Sequence, residues 1–287
     1  MFQQKLFIKT FFLSLVLLNL SACVSTMTRP STNASKPSSI YAESFVPSEW
    51  DLPIGANVVS DSNLVVRKSP TSGNGILLGA VLFGPLGVAA MNSSMSADTE
   101  GATKGMASFS VLDLPNMATD VINKSQQNGQ MPASLTFSSN PVSGDAYKLQ
   151  PFMYLETDGV KRSDLMLVLR ITQGDGKWTG QYVSHIFGMA EVQQIRYSNE
   201  FKEAIRNSLK QSLEVFYKDI QGQLKKSENK IVPSIAKSMF YSKGPLWGWE
   251  LSSPDEDLFL FHARANPGNV FGGVHIFNAA DVSTKPF

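Results

Sequence analysis

The run DLMLVLRITQ at residues 164–173 decides the fold class of this chain. Every second residue of the run is a large aliphatic one and would project from the same face of an extended strand. These residues are Leu165, Leu167, Leu169 and Ile171. The flanking runs, YKLQPFMYLE (147–156) and KWTGQYVSHIF (177–187), are also rich in β-branched and aromatic residues. Short turns, TDGVKRS and GDG, separate the three runs, so the sequence predicts an antiparallel meander.

Residues 198–226 carry the clearest helical pattern. Large apolar residues recur every three or four positions and form one stripe. They are Phe201, Ile205, Leu209, Leu213, Phe216, Ile220 and Leu224. Glu200 lies in the first turn and Lys226 in the last, which suits the helix dipole. We expect the stripe to pack on the sheet; the alternative is a helix that binds a partner protein.

Shorter patterns complete the fold prediction. Residues 63–68 and 109–112 are strand candidates, and residues 115–127 are a helix candidate with Asp113 as the cap. DLFLFHARA (257–265) and NVFGGVHIF (269–277) read as two strands joined by a turn at 266–268. Together these elements predict an α+β fold, an antiparallel sheet with helices packed on one face.

Composition excludes some classes of protein. The chain has 287 residues, a formal net charge of +1 and a single cysteine, Cys23. A net charge near zero argues against a nucleic-acid partner. One cysteine excludes an intrachain disulfide framework and a zinc site built from several cysteines.

The N-terminus has the regions of an export signal. Lys5 and Lys9 give a positive start, and residues 11–20 form an apolar core too short to span a bilayer. The core leads into LSAC at residues 20–23, which contains the only cysteine. These four residues resemble the lipobox of bacterial lipoproteins, in which small residues precede the cysteine that is modified.

The resemblance implies that the peptide is cut before Cys23, that the thiol carries a diacylglyceryl group and that the new amino terminus is acylated. Three acyl chains would anchor the protein without a further signal. In this family an Asp after the cysteine retains the protein at the inner membrane; Val24 stands here and favours the outer membrane. The alternative is ordinary cleavage after Ala22, although Leu20 occupies a position where a small residue is expected.

A polar segment follows the cysteine. Residues 24–40, VSTMTRPSTNASKPSSI, are rich in Ser, Thr and Pro and show no apolar periodicity. They predict a flexible tether with a mean span of roughly 20 Å. We therefore divide the chain into a signal peptide (1–22), a lipidated cysteine with a flexible linker (23–44) and a single α+β domain (45–287).

The run GILLGAVLFGPLGVAAM at residues 75–91 is uncharged and nearly all apolar. Its length is the lower bound for a membrane span, but Pro85 and several glycines weaken an isolated helix. Small residues four apart permit close helix packing in a membrane or in a soluble core. They are Gly75, Gly79, Ala80 and Gly84. The segment is therefore a buried core helix or hairpin, a lipid or oligomer contact, or a span.

Catalytic signals are weak. The sequence has no G-x-S-x-G, H-E-x-x-H or Walker A motif. Its histidines are His185, His262 and His275. We expect His262 and His275 to face each other across the last hairpin, where they either begin a metal site or lie on half-exposed strands. Spacing suggests no third ligand, so we predict no metal and no cofactor.

These features predict a lipid-anchored envelope protein at the outer membrane, with its domain facing the periplasm and a binding or assembly role. Its partners would be the membrane, through the acyl anchor, and an envelope protein that the sequence does not identify. One alternative is a periplasmic hydrolase, which requires a histidine and a carboxylate that converge in one pocket. The other is a pore or secretion component that uses residues 75–91.

Overall fold

A computed structural model describes residues 38–47, 56–59, 63–68, 112–142, 144, 146–157, 163–174, 178–186, 199–227, 231–234, 248–253, 255–263 and 272–286. Two α-helices occur in this part of the chain, α1 (Leu114–Gln127) and α2 (Asn199–Ile220). The strands are β1 (Ser38–Ala42), β2 (Ala56–Val58), β3 (Leu64–Lys68), β4 (Leu135–Phe137), β5 (Ala146–Thr157), β6 (Ser163–Gln173), β7 (Trp178–Ile186), β8 (Ile231–Ser234), β9 (Gly248–Leu251), β10 (Leu258–Ala263), β11 (Gly273–Asn278) and β12 (Ser283–Pro286). The fold class is α+β, as predicted.

Ten of these strands form one sheet. Eight of them follow the order β2-β3-β5-β6-β7-β11-β10-β9, β1 also pairs with β5, and β4 pairs with β1. The meander β5-β6-β7 and the hairpin β10-β11 are antiparallel, which confirms both predictions. The expectation of a wholly antiparallel sheet was wrong. β1 and β3 run parallel to β5, and β11 runs parallel to β7, so the sheet is mixed. Parallel neighbours need long crossover connections, and α2 lies within the one between β7 and β11.

β1 and β3 share one edge of β5, and this arrangement lets a central strand contain a proline. β1 pairs with the first residues of β5 and β3 with the last ones. The Leu149 carbonyl accepts from the Glu43 amide at 2.9 Å, and the Met153 amide donates to the Asn63 carbonyl at 2.8 Å. Backbone groups alternate in direction along a strand, so Pro151 faces that same side. Its missing N–H therefore points at the gap between β1 and β3.

Both helices pack on one face of the sheet, which we call the first face. Every second residue of β5, β6 and β7 lies on this face and packs against the apolar stripes of α1 and α2. In α1 the Asn116 amide donates to the Asp113 side chain at 3.1 Å, which confirms the predicted cap. α2 is shorter than predicted and ends before Gly222, whose φ is 70°.

The end of α2 has a specific cause. The Gly222 amide donates to the Asp219 carbonyl and the Gln223 amide to the Lys218 carbonyl, both at 2.9 Å. These two bonds form a Schellman motif, which requires a left-handed residue that glycine adopts without strain. The predicted stripe nevertheless extends past the helix, because Leu224 is fully buried.

The other face of the sheet, the second face, is also buried. Its apolar members include Phe152, Met166, Val168 and Phe261, all within 1% of complete burial. Phe45, which follows β1, lies 6.0 Å from Phe152 between ring centroids. Burial on both faces explains why the central strands are nearly continuous apolar runs.

β1 lies inside the range 23–44 that the sequence analysis assigned to the linker. Ile40 is completely buried and Tyr41 nearly so, hence residues 38–42 belong to the sheet and not to the linker. The Ser-rich composition concealed a five-residue strand whose two buried apolar residues are too few to show a period.

The signal peptide 1–22, Cys23 and the apolar residues 75–91, with Gly75, Gly79, Ala80 and Gly84, lie outside the described residues, as does most of the strand candidate 109–112. Within the residues that the structure describes, no helix is long and apolar enough to cross a membrane.

Candidate functional site

Several buried ionisable side chains lie on the second face of the sheet. Each is at most 9% exposed, and we call the set the polar band. It consists of Arg67, Tyr154, Glu156, Asp164, His185 and His275. Charged residues are rarely buried unless they are paired, so the contacts within the band decide whether it is a structural network or a chemical site.

The first part of the polar band is an ion pair. The parallel register of β3 and β5 places Arg67 beside Glu156, and the distance from Arg67 Nη1 to Glu156 Oε2 is 3.5 Å. The Tyr154 hydroxyl donates to the same carboxylate oxygen at 3.0 Å. Burial, followed by the negative charge of Glu156, holds the pKa of Tyr154 well above its ordinary value. The cluster balances its charges internally, which is typical of a structural network.

The second part of the polar band is a histidine pair. The register of β7 and β11 places Val183 beside His275, so His185 lies one diagonal step away on the same face. His185 Nε2 and His275 Nδ1 are 2.9 Å apart, within hydrogen-bond distance. The ring of His185 also stacks on Phe277, with centroids 4.1 Å apart.

The environment disfavours a positive charge on His185. His275 is completely buried and His185 is 9% exposed. Burial, followed by repulsion from His275, holds the pKa of His185 well below its ordinary value of 6.5. One ring therefore donates an N–H to the other ring's unprotonated nitrogen.

The third histidine lies elsewhere, and the expectation that His262 faces His275 was wrong. The hairpin register pairs His275 with Phe261 and His262 with Val274, so His262 projects from the first face. A shift of one residue moves a side chain to the opposite face of a strand, and the sequence left this register open.

His262 packs against an aromatic ring instead. It stacks on Trp249 of β9, with centroids 4.7 Å apart and planes at 14°. Lys226 forms an antiparallel β-bridge with Leu251 of β9, and its ammonium lies 5.1 Å from the centre of the Trp249 ring. Trp249 is thus flanked by two neighbours and serves packing at the end of the sheet.

A further buried polar contact joins α2 to the first face. The Tyr182 hydroxyl donates to Asp219 Oδ2 at 2.8 Å, and both residues are almost completely buried. Burial, followed by the charge of Asp219, raises the pKa of Tyr182 well above its ordinary value. The contact fixes the C-terminal turn of α2 on β7.

The positions of these groups can be compared with those that metal binding and hydrolysis require. Among the described residues, no three His, Cys, Asp or Glu side chains are placed to hold a metal ion. Of the two carboxylates in the polar band, Asp164 is nearer to the histidine pair in the strand register. It lies diagonal to His185 across β6 and β7. The histidines contact each other in the buried sheet, whereas a hydrolase needs a histidine that meets a carboxylate in an accessible pocket.

One gap lies in the packing between the helices and the sheet in the described part of the chain. The gap enclosed by α1, α2, β5 and β6 is lined by apolar residues and has no room for a water molecule. The chain matches no protein-family model, no curated protein and no solved structure.

Proposed function

We propose that this protein is a bacterial lipoprotein, anchored through acyl chains on Cys23, that has a binding or assembly role at the outer membrane with its domain in the periplasm. One observation carries the proposal: LSAC at residues 20–23 follows a positive start and an apolar core in the register of a lipoprotein signal. Val24, rather than Asp, favours the outer membrane.

The composition of the sequence between Cys23 and β1 supports this role. Residues 24–37 separate Cys23 from β1 and contain mainly Ser, Thr, Pro and other small or polar residues. We propose that this segment is a flexible tether; a flexible chain of this length has a mean span of roughly 20 Å and would hold the domain off the lipid surface. The mature chain loses Lys5 and Lys9, so its net charge of about −1 adds little attraction to anionic lipid.

Binding or assembly is a better fit to the buried polar groups than catalysis. The histidine pair joins β7 to β11 and the Arg67–Glu156 pair joins β3 to β5, so both pairs connect neighbouring strands. A pore or secretion role would depend on the apolar residues 75–91 alone. A tri-acylated cysteine already accounts for stable membrane attachment without that segment.

Substitution of the cysteine tests the proposal. Cys23→Ser removes the thiol that would receive the diacylglyceryl group, so incorporation of radioactive palmitate should disappear. The precursor should remain uncleaved, or the domain should leave the outer-membrane fraction. Thr28→Ser, a conservative change in the tether, is the matched control and should be labelled and fractionated like the wild type. Labelling and outer-membrane fractionation of Cys23→Ser at wild-type levels would refute the anchor.

A further inference from the structure

We propose that the His185–His275 contact is an acid-sensitive link between the two halves of the sheet. The meander half consists of β5, β6 and β7, and the hairpin half consists of β9, β10 and β11. Proton uptake by the histidine pair would separate the hairpin half from the meander half.

The backbone junction between the halves is short. Residues 182–184 of β7 pair with residues 274–276 of β11, and no other strand pair connects the two halves in the described sheet. By comparison, residues 178–186 of β7 pair with residues 165–173 of β6. Parallel pairing is also slightly less stable per residue than antiparallel pairing. Side-chain contacts across the junction therefore contribute a large share of its stability.

The histidine contact crosses this junction, and its chemistry depends on protons. In the neutral pair, one N–H donates to an unprotonated nitrogen 2.9 Å away. A first proton keeps one donor and one acceptor between the rings, but it places a charge in a buried site. A second proton points two N–H groups at each other and adds charge repulsion, so the contact cannot persist.

The charged and titratable groups on the same face modify this response. From β1, β3, β5, β6 and β9 they are Tyr41, Arg67, Lys148, Tyr154, Glu156, Asp164, Arg170 and Glu250. β10 contributes Phe259 and Phe261 to this face. Glu156 is already paired with Arg67, which limits its attraction for a distant imidazolium.

Two neighbours partly stabilise the first proton. Asp164 is a diagonal neighbour of His185, at a separation of about 7–8 Å for such positions. The face of Phe277 can also attract an imidazolium. Neither neighbour removes the conflict between two protonated rings, and burial together with His275 keeps the pKa of His185 low.

The direction of the pH effect follows from this low pKa. In the unfolded chain a histidine binds a proton below about pH 6.5, whereas in the folded sheet His185 does not. The contribution of His185 to stability is therefore complete above about pH 6.5 and falls as the pH drops below it. Mild acid would loosen the junction before it affects the longer antiparallel pairs.

Amide hydrogen exchange on the full lipidated protein in detergent tests the proposal. Exchange at about pH 7.5 and about pH 5.5 is compared after correction for the intrinsic rate. We expect peptides from β10 and β11 to lose protection relative to β5 and β6, by about tenfold per pH unit for each proton taken up. Equal protection of the hairpin half at both pH values in the wild type would overturn the proposal.

Glutamine variants connect the effect to the pair. His185→Gln/His275→Gln keeps a donor and an acceptor but cannot titrate, so its hairpin half should be equally protected at both pH values. His262→Gln, in the same hairpin but on the first face, should keep the acid response. An acid response that survives in the double variant would contradict the proposal.

A titration of the wild-type protein tests the proposal even if the double variant does not fold. Nuclear magnetic resonance of the wild-type imidazoles should show that His185 stays neutral well below pH 6.5 until the junction opens. Ordinary titration of both rings near 6.5 with the junction still protected would refute the link, whether or not the double variant folds.

Discussion

Truncation of Leu209 gives the most direct test of how α2 is docked. Leu209 is 2% exposed and lies in the packing between α1, α2, β5 and β6, close to Ile122 and Leu169. Leu209→Ala removes three carbons, which corresponds to about 2.4 kcal/mol of transfer free energy at 0.8 kcal/mol per carbon. The residue has a sheet on one side and a helix on the other, so the void can collapse only in part. Cavity formation raises the expected loss to about 3–5 kcal/mol.

Urea denaturation followed by circular dichroism measures this loss. With a slope of about 3 kcal/mol per molar urea, the midpoint should fall by about 1–1.7 M. Lys210→Ala is the matched control, because the next residue on the helix has a side chain that is 56% exposed. Its ion pair with Glu214 is on the surface, with Nζ and Oε1 3.8 Å apart, and should contribute less than about 0.5 kcal/mol.

A loss below about 0.5 kcal/mol for Leu209→Ala would refute the packing argument. It would mean that the apolar stripe of α2 contributes nothing to the folded domain in solution. The alternative interpretation of the stripe, as a surface for a partner protein, would then replace it.

Two further predictions concern buried ionisable groups. Arg67→Met leaves Glu156 buried without its cation and should destabilise the protein by about 3–5 kcal/mol in the same denaturation assay. The double variant Arg67→Met/Glu156→Gln should recover part of this loss. An equal or greater loss in the double variant would argue against a coupled pair. Burial raises the pKa of Tyr154 and Tyr182 well above 10 and that of Tyr217 to about 12, so these side chains should stay protonated in the folded protein near pH 11 while unfolded tyrosines ionise. Stability should therefore fall as the pH rises above about 10, and ultraviolet titration of every tyrosine near pH 10 in a folded protein would contradict this.

The periodicity of single segments was enough to predict several elements. Leu165, Leu167, Leu169 and Ile171 do line the face that receives the helices, and the two turns around β6 do make an antiparallel meander. Asp113 caps α1, because a cap needs only a side chain and an amide three residues apart. The apolar stripe of α2 is buried because a spacing of three or four residues places side chains on one side of a helix, and this side meets the core.

Short elements show no recognisable hydrophobic periodicity. β2 and β4 have three residues each, and β1 has two buried apolar residues in a Ser-rich context. A period of two cannot be recognised over so short a run. The positions of these strands in the sheet depend on the neighbouring strands. At Pro151, for example, β5 tolerates a proline because β1 and β3 share that edge of the strand.

The polar contacts were decided by tertiary structure alone. His185 and His275 are 90 residues apart in the chain and meet only because β11 lies parallel to β7. The sequence determined which residues alternate along each strand, because alternation depends on local backbone geometry. It did not determine which strands are neighbours or in which register, because these depend on the packing of the whole sheet and its crossovers. That choice placed His275 beside His185 on one face and His262 on the other.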